Sequence, residues 1–168
     1  YKKRLNDMIR FVEEKDVRRI TEIYNRYITE GVETFETKAL TVEQMAQRVK
    51  DISASCPYFV YEENGVVEGY CYAHPWKERA AFANTFETTV YVAHGSGGRG
   101  IGPSLMQRLI EACRDKGCRV LVACITGCNE PSIALHKKLG FVQASHFHNV
   151  GYKFGRWLDV VDLEMQLY

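Results

Sequence analysis

The chain has 168 residues, of which 46% are hydrophobic and 26% charged, with a net charge of +1. That length suits one domain with a sizeable core, and the composition is that of an ordinary globular protein. The near-balanced charge argues against nucleic acid or an anionic membrane as partner. No apolar run approaches the roughly 20 residues that a spanning helix needs.

The start, Tyr1-Lys2-Lys3-Arg4-Leu5-Asn6-Asp7, is polar and unlike a signal peptide. A single domain over residues 8–168 is expected, with residues 1–7 an extension before Met8. Ile9 to Val12 reads as a first strand. Asp16 is placed to cap a helix through Val17, Ile20, Tyr24, Tyr27 and Ile28, which share one stripe, and Gly31 stops it. The loop Val32 to Thr37 is polar except for Val32 and Phe35. Phe35 either plugs the core or faces a ligand. Thr41 and Gln44 form a capping box ahead of a helix with Val42, Met45, Val49 and Ile52 inside. Tyr58–Tyr61 and Val66–Ala73 flank Asn64-Gly65, a strong hairpin signal.

The segment His74 to Ala80 mixes aromatics and cations, and Phe86 to Val92 is the next strand. After it come four glycines within Gly95 to Gly100. A helix pattern then opens, with Ile101, Leu105, Leu109, Ala112 and Cys113 on one face and Gly117 as its stop. Glycines let a backbone approach a ligand closely, and free N–H groups at a helix start attract phosphate. This strand–turn–helix therefore reads as an anion cradle. It contains a literal G-x-G-x-x-G at Gly95, Gly97 and Gly100, the dinucleotide-fold signature. Yet no acidic residue ends the following strand, and only one strand–helix–strand unit is visible. No Walker Gly-Lys-Ser/Thr is present.

Val120 to Ile125 is an apolar strand, expected to be central and parallel to the one before. Thr126 to Pro131 is a turn, Ser132 to Leu139 a short helix stopped by Gly140, and Phe141–Ala144 and Trp157–Leu167 the closing strands. The fold class is a mixed α/β sheet with helices on both faces. None of the six cysteines has C-x-x-C spacing. They are expected to be reduced thiols, mostly buried, in a cytoplasmic protein, and no metal is expected.

Taken together, Val90-Tyr91-Val92, Gly98-Arg99-Gly100-Ile101-Gly102, Asn129-Glu130-Pro131-Ser132, Leu139-Gly140-Phe141 and Lys153-Phe154-Gly155-Arg156-Trp157-Leu158-Asp159 resemble the GCN5-related N-acetyltransferase (GNAT) family. Within it they resemble the phosphinothricin and methionine sulfoximine acetyltransferase branch. The resemblance covers residues 8–168. It implies a mostly antiparallel sheet with a splayed central parallel pair, acetyl-CoA as co-substrate, a small amino-acid amine as acceptor and a homodimer. Backbone of Val90, Tyr91 and Val92 would bond the pantetheine arm. N–H groups of the Gly97-Gly98-Arg99-Gly100-Ile101-Gly102 turn, which runs into Pro103, would hold the pyrophosphate. Asn129 would bond the pantetheine amide, with Ser132 assisting. Two departures stand out. Gly97 replaces the usual Gln or Arg, which removes a side-chain contact but keeps the cradle, and His94 replaces the usual proline.

Acetyl transfer needs an uncharged amine, so a base within reach helps. Glu87 lies in an otherwise apolar strand, where an idle buried carboxylate would be costly. The branch places its base there. His136 follows Ser132 by one helical turn, so both face one side. Many relatives carry tyrosine there as the acid; this branch has histidine, which would protonate the sulfur or relay the amine's proton. A main-chain N–H near Tyr91 would polarise the thioester carbonyl. For the amino-acid acceptor, Lys77, Arg79 and Arg156 are candidate anion partners and Phe35, Trp76 and Phe82 candidate walls. Tyr152 and Lys153 lie where a second subunit would cross. The alternatives are a non-catalytic acyl-CoA sensor on the same fold, an acetyltransferase for another small amine, and a nucleotide-binding module.

Overall fold

A computed structural model describes residues 1–168. Its chain divides into two compact units, one built from residues 1–25, 40–74 and 89–117 and the other from residues 26–39, 75–88 and 118–168.

In the first unit, α1 (Lys2–Asn6) buries Leu5 and β1 is Ile9–Phe11; α2 (Val17–Glu30) begins there after a 3₁₀ turn over Glu14–Asp16 and its residues from Arg26 on belong to the second unit. Asp16 acts differently from the simple cap expected. Its carboxylate takes the Glu13 N–H and a bidentate pair of Arg10 N–H bonds at 2.8 and 2.9 Å. The Thr41–Gln44 capping box forms as expected ahead of α3 (Val42–Ser53). β2 (Tyr58–Glu63) and β3 (Val66–Pro75) pair antiparallel, with Asn64 and Gly65 at φ 52° and 78° in the turn. Those positive φ values explain why an Asn-Gly pair sits there. β1 pairs antiparallel with β2. The core of this unit is aromatic and aliphatic: Phe59, Tyr58, Tyr70, Leu105, Met106 and Leu109 are all buried.

β4 (Thr85–Val92) runs from the second unit into the first. After it comes α4 (Ile101–Asp115), and Gly117 turns the chain out at φ 82°. In the second unit, β5 (Val120–Thr126) is parallel to β4 and β7 (Arg156–Gln166) is antiparallel to β5. α5 spans Glu130–Leu139, and β6 (Val142–Lys153) pairs antiparallel with β7. The strand order is β1-β2-β3-β4-β5-β7-β6, with β4–β5 the parallel pair. β6 is 12 residues long, far beyond the Phe141–Ala144 strand read from the sequence. The polar run Ser145-His146-Phe147-His148-Asn149 hides it, because β6 is solvent-facing and needs no apolar alternation.

Four cysteines are buried as expected, but Cys124 and Cys128 are exposed, and all six are free thiols. Cys124 shows why an apolar strand is a poor guide here. From Leu121 to Thr126 on β5 every residue but Cys124 is buried, its same-face neighbours Val122 and Thr126 included, so the exposure is local to Cys124.

Candidate active site

Gly69 lets β4 come close to β3 in the first unit. A Cβ there would lie 3.1 Å from the Tyr91 carbonyl oxygen and 3.2 Å from both Ile101 Cγ2 and Leu105 Cδ1. The Tyr91 ring packs edge-on against Tyr24 at 5.3 Å and tilts over Tyr70 at 5.8 Å. Ala93 N–H then bonds Glu68 O at 2.8 Å, and Ser96 closes a turn by donating to Ala93 O and, through Oγ, to Glu68. The glycine loop follows, with Gly95, Gly98 and Gly100 at φ 86°, 73° and 81°. Side chains other than glycine rarely adopt such values, which accounts for the glycines.

Gly100 caps α4 and supplies no side chain to it. Ser104 turns inward, its N–H and Oγ both bonding Gly100 O. No N–H of Gly97, Gly98, Arg99, Gly100, Ile101 or Gly102 makes an internal hydrogen bond. Pro103, in the first turn, has no N–H to offer. The Arg99 guanidinium pairs with Glu63. These are unsatisfied donors at the positive end of a 15-residue helix, an arrangement suited to an anion. α1 lies against this loop: Leu5 Cδ1 is 3.3 Å from where a Gly100 Cβ would sit, and Tyr1 Oη donates to Arg99 O.

In the second unit, Glu87 is half-buried and opposite Val122, the last registered pair between β4 and β5. Pairing thus stops at Glu87, where a strand that splays from its neighbour would leave it. Cys124, two residues past Val122, feels both Glu87 and Asp162. Loss of water around the thiol, then those two charges, push it up to about 12. Asp162 lies opposite Cys124 in the β5–β7 register and accepts Ser145 Oγ at 2.9 Å. Glu87 therefore shares a sheet face with Cys124 and Asp162. Neither neighbour was singled out from sequence; β5–β7 pairing, invisible in the chain order, brings Asp162 there.

Asn129 caps α5: its Oδ1 accepts Ser132 N–H at 3.3 Å, which leaves the amide NH₂ outside that bond. His136 is only 3% exposed. Its Nδ1 lies 2.7 Å from Ser132 O and 3.4 Å from Ser132 Oγ, and its ring meets Phe141 edge-on at 5.1 Å. A carbonyl only accepts, so Nδ1 carries the proton and the neutral ring presents a lone pair at Nε2. Burial lowers the His136 pKa below its usual value, partly offset by the Ser132 carbonyl. A helix-surface histidine is ruled out.

Trp76 and Phe82 meet edge-to-face at 5.4 Å, and Lys77 Nζ sits over both rings, 4.2 Å from the first and 5.6 Å from the second. Phe82 closes a 3₁₀ turn over Ala80–Phe82, where its N–H bonds Arg79 O; Arg79 is exposed. Phe35 is 38% exposed and rests on Gly151, where a Cβ would approach its Cε1 to 2.8 Å. The loop that carries it is tied down twice more. Lys153 Nζ donates to Thr34 O and Thr126 Oγ1 to Val32 O, at 2.8 and 2.7 Å. Lys153, at the end of β6, is 4% exposed and holds the loop that carries Phe35. Arg156 is exposed at the start of β7, after the Phe154-Gly155 turn, while Tyr152 packs on Trp157. The structure thus gathers Glu87, Asn129, Ser132, His136, Trp76, Lys77, Arg79, Phe82, Phe35 and Arg156 in one unit, and Val90, Tyr91, Val92 and Gly97 to Pro103 in the other.

Residues 9–161 match the acetyltransferase (GNAT) domain family. The chain is 38% identical to the L-amino acid N-acyltransferase MnaT of Escherichia coli strain K12, over 95% of this chain and 93% of that protein. It is 37% identical to a phosphinothricin N-acetyltransferase of Alcaligenes faecalis, over 95% and 82%. It is 38% identical to an L-methionine sulfoximine/L-methionine sulfone acetyltransferase of Salmonella typhimurium, over 95% and 94%. Among solved structures it resembles yncA, a Salmonella typhimurium protein described as a putative acetyltransferase with its cofactor acetyl-CoA. The TM-score is 0.93 at 37% identity, covering 95% of this chain and 93% of that one. With the seven-stranded sheet and its one parallel pair, these matches place the chain in the GNAT family: it is an acetyltransferase.

Proposed function

We propose that this chain transfers the acetyl group of acetyl-CoA to the free amine of a small, glutamate-like amino acid of the phosphinothricin or methionine sulfoximine type. The observation that carries the reading is the run of unsatisfied N–H groups from Gly97 to Gly102 at the start of α4, where Gly100 brings no capping side chain. A coenzyme diphosphate fits those donors. The names of the 37–38% identical relatives support the amino-acid acceptor.

Acetyl-CoA supplies an acyl thioester. Glu87, directly or through one water, takes a proton from the ammonium so that the nitrogen lone pair can attack the carbonyl carbon. The Tyr91 main-chain N–H would steady the oxyanion. When the tetrahedral intermediate collapses, the C–S bond breaks and the thiolate needs a proton. Geometry supports an accepting role for His136, because Nδ1–H is committed to Ser132 O and Nε2 is bare. His136 thus relays a proton from the amine side toward the sulfur, rather than starting as the acid. Arg79 and Arg156 are the exposed cations available to the acceptor's carboxylate and polar head, and Lys77 is held over Trp76 and Phe82.

A homodimer is part of the reading. Phe147, Val150, Tyr152, Phe154 and Trp157 on β6, β7 and their turn are all more than half exposed, an apolar area that a second copy would cover. Light scattering at micromolar concentration tests it. Residence in the cytoplasm fits six free thiols, and no helix is long and apolar enough to cross a membrane.

The test of function is thiol release from acetyl-CoA with L-methionine sulfoximine, phosphinothricin and a panel of ordinary amino acids. Turnover with the first two is expected. Coenzyme binding by calorimetry without turnover on any amine would instead make this a sensor.

A further inference from the structure

Acetyl transfer leaves unused a side-chain cluster on the outer strands of the second unit. His146 and His148 lie two residues apart on β6, and their rings stack at 4.1 Å with 14° between planes. The β6–β7 register slips between Phe147 and Gly151, so this stretch bulges from the ladder. Opposite it on β7, Asp159 Oδ2 lies 2.8 Å from His146 Nε2. The other carboxylate oxygen is held by Asn149 N–H at 2.8 Å, and Asn149 adopts φ 52°. One ligand atom from each of His146, His148 and Asp159 falls within 4.8 Å of the others. A simple imidazole–carboxylate pair needs one histidine. Here a second ring is stacked on the first with no hydrogen bond of its own.

We propose that His146, His148 and Asp159 form a binding site for a divalent first-row transition cation, with zinc the best fit and water completing its shell. Two imidazole nitrogens and one carboxylate oxygen suit zinc and disfavour magnesium or calcium, which take oxygen ligands. Zinc–nitrogen bonds of about 2.0–2.1 Å bring tetrahedral ligand atoms to about 3.3 Å from each other. Modest rotation of the two exposed histidines and the half-buried Asp159 from their present spacing achieves that. The Asn149 N–H orients the carboxylate as an outer partner. The cation would fasten the bulged part of β6 to β7. The third ligand lies 11 residues beyond His148 and is brought to the histidines only by β6–β7 pairing, which is why no metal was expected from the sequence.

Chelator-stripped protein titrated with zinc by calorimetry tests this, alongside cobalt followed by absorption. One zinc per chain is expected, with a cobalt spectrum lacking the near-ultraviolet thiolate band. His148→Ala and Asp159→Asn should each weaken zinc at least as much as losing an outer-shell partner does, roughly 10–100-fold. Zinc should raise the melting temperature of wild type more than that of His148→Ala at the same zinc concentration. Circular dichroism of both variants checks that they fold. The proposal is overturned by equal zinc affinity in wild type and His146→Ala/His148→Ala, by a thiolate band assigning the metal to Cys124 or Cys128, or by no binding at millimolar zinc. The last would leave these residues as a surface ion pair only.

Discussion

His136 offers a quantitative test of the buried-relay assignment. An unfolded chain's histidine titrates near 6.5, whereas burial holds folded His136 below its usual value. Between those two pKa values the unfolded state binds more protons, so stability rises with pH across that window. The stabilising preference is present in full above about 6.5 and is lost as pH falls through the folded value. One proton sets the ceiling on the slope at about 1.4 kcal/mol per pH unit. Urea unfolding of wild type and His136→Gln from pH 5 to 7 reads it. The variant should lose this share of the slope. It should also be less stable at pH 7 by about 1–3 kcal/mol, from the lost Ser132 bond and the Phe141 contact. Equal slopes in the two proteins, or an NMR pKa at or above 6.5, would refute the reasoning.

Glu87→Gln should lower kcat by about 10²–10⁴ in thiol release, the usual share of a general base. Full kcat across pH would dismiss Glu87 as the base. Gly98→Ala should destabilise by about 1–2 kcal/mol, since its φ of 73° strains any Cβ, while Gly97→Ala, with no positive φ and open space, should melt like wild type. Equal melting of the two would mean the loop conformation differs from that described. Of the two exposed thiols, Cys128 should be labelled by iodoacetamide at pH 8 well before Cys124, whose thiol is held up to about 12, as read by peptide mass analysis. Equal labelling would contradict the crowding around Glu87.

Much of this architecture is legible in local sequence. The Asn64-Gly65 turn, the Thr41–Gln44 box and the Gly117 and Gly140 stops each rest on short-range stereochemistry, and each appears where its residues require. So does the parallel β4–β5 pair, because its apolar runs flank a helix. Solvent-facing structure was harder to see. β6 carries polar residues on both faces, and α1 shows only Leu5 as a buried anchor. In the site, the glycine loop was readable because its conformation demands glycine. The environment of the reacting groups was not, since it depends on partners distant in sequence: Asp162 and Cys124 around Glu87, and Gly151 and Lys153 under the Phe35 loop. His136 sits in between. Its helical spacing from Ser132 was plain, but its burial against Phe141 and its fixed tautomer needed the packed structure.

The central claim is that main-chain amides at the start of α4 grip a coenzyme diphosphate. Amide nitrogen–proton NMR spectra recorded while CoA is added test it most directly. The Gly97 to Gly102 amides should show the largest shifts in the chain and saturate at one CoA per site. Saturable CoA binding that leaves those six amides unmoved would contradict the account.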